Sequence, residues 1–225
     1  MATYLELCRV TRLMVGMQGT GPSSIAGAQG IEEVLVRFVR DAYVDVQNMR
    51  EEWNWLRTDG SFSTNIGQDE YNFLAIFLSE TPEFKKYKLD SFRITNASGK
   101  KTYLRYIDHD VLEARYLNTT EQKLPTQYTV DPSTNSLTFK AIPDGVYAVD
   151  FRYWKSPEIL STDAQVPSLP ISFHNLIAYK AVEKMAVYLG APEVYGRYSM
   201  EAAKMAGQLM RIEIPKMRMT AGALV

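Results

Sequence analysis

The sequence has little of what builds a reactive or redox centre. Its 225 residues include one cysteine, Cys8, and two histidines, His109 and His174. A lone cysteine forms no internal disulfide and cannot by itself cage a zinc ion. No run of eighteen apolar residues occurs, which excludes a membrane-spanning helix. The 25 Lys and Arg nearly cancel the 26 Asp and Glu, leaving a formal net charge of −1. No field of one sign therefore advertises nucleic acid or an acidic partner. The opening Met1-Ala2-Thr3-Tyr4-Leu5-Glu6 carries an acid where a secretory leader carries a base, and no apolar stretch follows. What is present is 46% hydrophobic and 23% charged, the proportions of a globular protein. The expectation is a soluble chain of one large domain or two small ones, made in a reducing compartment.

Helical periodicity marks both ends of the chain. Thr3-x-x-Glu6 has the spacing of a capping box, which predicts a helix to about Val15. Residues 16–30 are rich in glycine and serine and read as a loop. Ile31, Val34, Leu35, Phe38, Ala42, Val46, Met49, Trp53 and Leu56 then recur at steps of three and four. They predict a helix over 31–57, about 40 Å long, stopped by Asp59-Gly60. Phe38 is placed in its buried stripe, where loss of the ring would cost about 3–5 kcal/mol. Near the other end, Leu176, Tyr179, Val182, Ala186 and Leu189 share a helix face, with Ser172 as N-cap. Gly190-Ala191-Pro192 breaks that helix. Val194, Tyr198, Ala202, Met205, Leu209 and Ile212 stripe the last one, which Pro215 ends.

Between the helical ends the period falls to two. Residues 61–66 suggest a short strand, and residues 70–78 an apolar run of ambiguous type. Phe92 and Ile94, the turn Asn96-Ala97-Ser98-Gly99, then Tyr103, Arg105 and Ile107 read as a hairpin. Residues 109–117 suggest one or two helical turns. Tyr128-Thr129-Val130 and Leu137-Thr138-Phe139 make a second hairpin, and Tyr147, Val149, Phe151 and Tyr153 a further strand. Residues 161–170 are a linker with two prolines. The fold class is α+β, a helical bundle formed by N- and C-terminal helices with an inserted antiparallel β subdomain. Residues 1–58 supply the first helices, 59–158 the β-rich subdomain, 159–214 the last helices and 215–225 an extended tail.

Each candidate for chemistry has a plainer explanation. Gly16-x-x-Gly19-x-Gly21 could cradle a phosphate only with a strand before it, and nucleotide cleavage would add a lysine within it. A helix precedes it and it holds no lysine, so it is a connector whose length suggests a contact element. Asp108-His109-Asp110 reads as a solvated turn that starts a helix. Glu32-Glu33 and Glu51-Glu52 are adjacent pairs, so each pair points to two sides of a helix. Trp53 falls on the apolar stripe. Trp55 lies off it, as an exposed aromatic suited to anchor an interface. Single-stranded nucleic acid would want cations around these rings, but Glu51, Glu52 and Asp59 offset Arg50 and Arg57. No catalytic, cofactor-binding or metal-ligating set emerges, and no cofactor is implied. The residues describe a structural or interaction protein without naming its partner.

The succession of segments resembles the head-to-tail adaptor (connector) proteins of tailed bacteriophages. The resemblance runs through Tyr4-Leu5-Glu6-Leu7-Cys8-Arg9 and Gly19-Thr20-Gly21-Pro22-Ser23-Ser24. It continues in Val39-Arg40-Asp41-Ala42-Tyr43-Val44-Asp45-Val46-Gln47 and Trp53-x-Trp55-Leu56-Arg57. Pro143-Asp144-Gly145-x-Tyr147, Phe151-x-Tyr153-Trp154-Lys155-x-Pro157 and Leu169-Pro170 followed by Phe173-His174 complete it. The β block is larger than in the smallest adaptors and compares with that of the gatekeeper-type tail tubular proteins of short-tailed phages. The resemblance implies a virion protein without enzymatic activity, located at the head–tail junction and assembled in the host bacterial cytoplasm. It implies a ring, typically dodecameric, that joins the portal to the tail and extends the DNA channel. Its partners would be the portal protein, a downstream tail or nozzle protein, other copies of itself and passing double-stranded DNA bound without sequence specificity, with no membrane contact. In this reading Lys216, Arg218, Leu224 and Val225 of the tail dock on the portal, and Trp55, Gly19, Gly21 and Pro22 serve interfaces. The glycine loop would then be mobile in the free subunit and ordered in the assembly. A small tail-associated enzyme is the rival, and it would require a nucleophile–base or carboxylate pair.

Overall fold

Thr3 caps the first helix as its spacing to Glu6 predicts. Its hydroxyl accepts from the Glu6 amide at 3.2 Å, and the Glu6 carboxylate accepts from the Thr3 amide at 2.8 Å. The two groups thereby satisfy N–H donors that a helix start leaves free. The computed structural model, which describes residues 2–72, 84–116, 121–134 and 136–213, closes this helix α1 (Tyr4–Val15) with Gly16 at φ 81°. That left-handed turn suits glycine. The further helices are α2 (Ile31–Asn48), α3 (His109–Tyr116), α4 (His174–Leu189) and α5 (Pro192–Glu213). The chain forms two compact units, Met1–Trp55 with Pro157–Val225, and Leu56–Ser156. The first is helical and built from both chain ends; the second carries the sheets. The α+β class expected from the sequence is the one observed.

Helix α2 stops at Asn48, nine residues short of the predicted end. Trp53 explains the misleading period. The chain turns back after Met49, and the Trp53 indole donates to the Gln47 carbonyl at 2.8 Å, one of the acceptors a helix end leaves unpaired. Trp53 is fully buried from a loop position, so the apolar spacing persists where the helix does not. Asp59-Gly60 is no helix stop either, because both residues lie inside a strand. The buried face of α2 consists of Leu35, Val36, Val39, Ala42, Tyr43, Val46 and Gln47. Phe38 is only half-buried, with its ring edge-on to Tyr188 of α4, and Ile31 is exposed. The stripe is rotated because α2 packs against both α1 and α4, which buries a wider arc than one neighbour would.

Helix α4 is the centre of this unit. It packs against α1, α2 and α5 and buries Leu176, Ile177, Ala178, Ala181, Val182, Met185 and Ala186. Its start differs from expectation. Ser172 sits in a 3-10 turn, Ile171–Phe173, and α4 begins without a side-chain cap. His174, buried, places Nε2 within 2.9 Å of the Leu169 carbonyl. In α5 the inward residues are Ala202, Ala206, Leu209 and Glu213, while Ile212 is exposed. Cys8 is buried, and burial, helped by the Asp163 charge, pushes its thiol up to about 12. Such a thiol stays protonated and unreactive at neutral pH.

A polar network fastens the returning chain to α2. Glu158 accepts from Tyr43 Oη at 2.8 Å, Ser168 Oγ at 2.8 Å and Gln165 Nε2 at 3.0 Å. Gln47 bridges the Glu158 backbone from both sides, accepting from its N–H at 2.8 Å and donating to its carbonyl at 2.9 Å. Burial alone would raise the Glu158 pKa. The hydrogen bonds from Gln165, Tyr43 and Ser168 outweigh it and hold the carboxyl below 4.5. A carboxylate depressed on folding adds stability above its unfolded pKa and loses it as the pH falls through its folded value. Glu158→Gln is therefore expected to be less stable than the parent at pH 7, with the gap closing below about pH 4.5. Denaturant titrations at several pH values measure this; a gap that stays constant with pH would contradict it.

Strands of the second unit are β1 (Arg57–Ser63), β2 (Glu70–Asn72), β3 (Phe84–Tyr87), β4 (Arg93–Thr95) and β5 (Lys101–Tyr103). They continue with β6 (Arg105–Tyr106), β7 (Gln127–Val130), β8 (Ser136–Lys140) and β9 (Ala148–Lys155). Strand β9 organises one sheet. β1 runs antiparallel along one edge of it from Arg57↔Trp154 to Ser63↔Ala148, and β4 and β3 share the other edge. β5 completes the sheet through the expected hairpin, whose turn is tied by Asn96 Oδ1 accepting from the Ser98 and Lys100 amides at 3.1 and 2.9 Å. The predicted return strand is divided. After buried Leu104, β6 joins the second sheet, of order β2-β8-β7-β6, by a parallel pairing with β7. Tyr71, Phe92, Tyr128, Phe139, Val149 and Phe151 belong to one buried core shared by both sheets. Gly60 is required in β1, because a Cβ there would lie 2.5 Å from the Phe151 ring. Residues 73–78 of the ambiguous apolar run lie outside the described residues, as do Pro215 and the whole tail.

Candidate functional site

The helical unit has two distinct ends. Asp45 of α2 pairs with Lys184 of α4 at 2.7 Å and Phe38 meets Tyr188, so α2 and α4 run antiparallel. α5 folds back on α4 through Gly190, with Tyr179 and Tyr198 in ring contact at 5.7 Å. The glycine loop, the start of α2 and the α4–α5 corner therefore lie at one end. The close of α2, Trp53 and the close of α5 lie at the other.

The loop end is apolar and solvent-facing. Leu13 is 70% exposed, Val187 69% and Tyr188 57%, and Ile31, Leu189 and Tyr195 are exposed beside them. Patches of this kind on a folded unit mark sites of protein contact. Two arginines of α1, residues that sequence reading passed over, fasten the glycine loop here. Arg9 donates to the Pro22 carbonyl through Nε at 3.4 Å and Nη2 at 3.3 Å. Arg12 bonds the Gln18 carbonyl and pairs with Glu32. From the other side Asp163 Oδ1 accepts from the Ile25 amide at 2.7 Å. A loop expected to hang free thus has fixed anchors. Its composition hid them because they lie in α1 and in the linker near residue 163, outside the loop itself.

Of the loop residues singled out from the sequence, Gly19 is exposed, Gly21 half-buried and Pro22 buried within the subunit. The glycines admit the arginines. Gly19 has φ 98°, and a Cβ there would sit 2.8 Å from Arg12 Nη2. Gly16 has a similar φ of 81° with open space around it. Both alanine substitutions incur the cost of a left-handed backbone, about 1 kcal/mol. Gly19→Ala must also displace the Arg12 tip, so it is expected to destabilise by about 2 kcal/mol. Equal losses for the two variants in urea unfolding would show that Arg12 does not bear on the loop.

At the opposite end the structure brings together Trp55 and the root of the tail. Trp55 is half-buried, contrary to its expected exposure. Its ring stacks on Trp53 at 4.2 Å and 26°, and its Nε1 is buried without a hydrogen-bond partner among the described residues. The amide of Asn54, the residue between the two tryptophans in sequence, donates to the Glu213 carboxylate at 2.9 Å. Glu213 is the last residue of α5, so the segment bearing Lys216, Arg218, Leu224 and Val225 begins at this contact. Those four residues lie outside the described residues. No cluster of three or more His, Cys, Asp or Glu able to hold a metal occurs among the described residues. Asp108 accepts from the Asp110 amide at 3.1 Å and opens α3, as the turn reading of that triplet expects.

The family model described as SU10 adaptor protein matches residues 2–224. The chain belongs to that family. It is a phage adaptor, a structural component, and the head-to-tail adaptor resemblance of its segments is borne out. No curated protein matches it. The adaptor's two helical ends, one apolar and looped, the other carrying Trp55 and the tail root, are its candidate contact surfaces. No helix among its described residues is long and apolar enough to cross a membrane.

Proposed function

We propose that the adaptor forms a ring, dodecameric in number, that joins the portal of a phage head to the tail and extends the DNA channel. The family match along residues 2–224 carries this reading. Three features support it. The exposed apolar residues of the loop end suit contact with a neighbouring copy. A net charge of −1 lets many copies gather without strong repulsion. The tail holds Lys216 and Arg218 with no acid after Pro215 and ends in Leu224-Val225, which suits an acidic, pocketed portal surface. Passing double-stranded DNA would be accommodated without sequence-specific contact. The downstream partner is a tail or nozzle protein, and the site of action is the virion after assembly in the host cytoplasm. Sedimentation velocity over rising concentration tests self-association. Growth toward one large, discrete species is expected; a monomer at every concentration, with and without the portal of the same phage, would count against the ring.

A further inference from the structure

The outer face of the β9 sheet holds a hollow of about 270 Å³ lined by Lys88, Asp90, Ser91, Arg93, Tyr103 and Arg152. The register explains why they converge. Arg93 lies opposite Tyr103 on β5 and Asp150 on β9, and Arg152 stands two residues further along β9 on the same face. Successive residues alternate faces, so Val149, Phe151 and Ile94 turn inward while these side chains turn to solvent. Ser91 holds the rim in shape, accepting from the Arg152 amide at 2.8 Å and donating to the Lys88 carbonyl at 2.6 Å.

The cations here differ in what they already bind. Arg152 donates to Asp59 at 2.9 Å, and nearby Lys101 pairs with Asp150 at 2.6 Å. The Arg93 side chain has neither hydrogen bond nor ion pair among the described residues. Its guanidinium stands 6.0 Å from the Tyr103 ring centroid, and its Nε is buried without a partner. A buried donor left unpaired is costly, so natural structures rarely keep one without a purpose. Lys88, on the same wall, has no ion pair among the described residues either. Tyr103 is 67% exposed beside them. An unpaired planar fork, a second cation and an exposed aromatic ring are what a protein interface concentrates around its strongest contacts.

We propose that this hollow receives a carboxylate side chain presented by a partner protein, with Arg93 as its two-pronged donor, Lys88 as the flanking charge and Tyr103 as the apolar wall. A duplex is the poorer occupant. Nucleic acid is held by many phosphate contacts spread over a positive surface, whereas here Asp90 lines the hollow, Asp59 neutralises its Arg152 and Asp150 neutralises Lys101 nearby. A single carboxylate on a loop fits between them. The proposal concerns the β unit and stands or falls independently of the ring.

A fluorescein-labelled glutamate-rich hexapeptide, titrated with the full chain at low salt and followed by anisotropy, is the direct test. Saturable binding is expected. Arg93→Lys, which keeps the charge but removes the fork, should weaken it about tenfold. Lys88→Gln, at a half-buried position outside the strands, should weaken it about threefold with an unchanged melting temperature. Unlabelled peptide should compete better than inorganic phosphate or a short duplex at equal charge concentration. No saturable binding, parent-like affinity in either variant, or better competition by phosphate or duplex would overturn the proposal.

Discussion

Replacing Trp53 by alanine is expected to destabilise the adaptor by about 3–5 kcal/mol, while Trp55→Ala costs about 1. The asymmetry follows from position. Trp53 is fully buried, donates to the carbonyl of Gln47, and lies within 5.9 Å of the Arg50 guanidinium. Its removal leaves a large cavity and frees the helix end it caps. Trp55 stacks on it but is only half-buried, and its indole N–H has no partner among the described residues. Folding free energies of so few kcal/mol in total leave little margin, so Trp53→Ala should yield little folded protein at 37 °C. Comparable stabilities for the two variants, measured by denaturant unfolding, would mean that the turn after α2 is not packed as described.

A chain ending at Ile214 is expected to melt with the parent yet fail to join portal rings. Glu213, the last residue of α5, accepts from the Asn54 amide, and the cut spares this contact. The residues removed carry two cations and an apolar end, each able to make only a weak contact. In a ring, many such contacts act together, and their joint affinity collapses when all are deleted. Co-sedimentation with portal separates the outcomes. Parent-like binding by the shortened chain would move the docking site elsewhere, with the apolar loop end as the next surface to examine.

Which parts of this were legible in the sequence depended on how locally each was determined. The Thr3–Glu6 cap, the Asn96–Gly99 turn and the alternation through β9 rest on neighbours a few residues apart, and all were readable. Spacing over-extended α2 because Trp53 fills the same core from a turned-back loop, which periodicity cannot separate from one more helical turn. The glycine loop was recognised, but its anchors Arg9, Arg12 and Asp163 were not, since only the tertiary fold brings residue 163 to residue 25. The Arg93 hollow was invisible for the same reason, being assembled across three strands. No motif in the sequence carried a reactive set, so function rested on the order of the segments, and the family match bears out the adaptor reading of that order.

The most direct measurement is negative-stain imaging of the purified adaptor mixed with the portal of the same phage. The account predicts a second ring seated coaxially on the portal, present with the full chain and missing when the chain ends at Ile214. Portals that remain bare with the full-length adaptor in excess would contradict it.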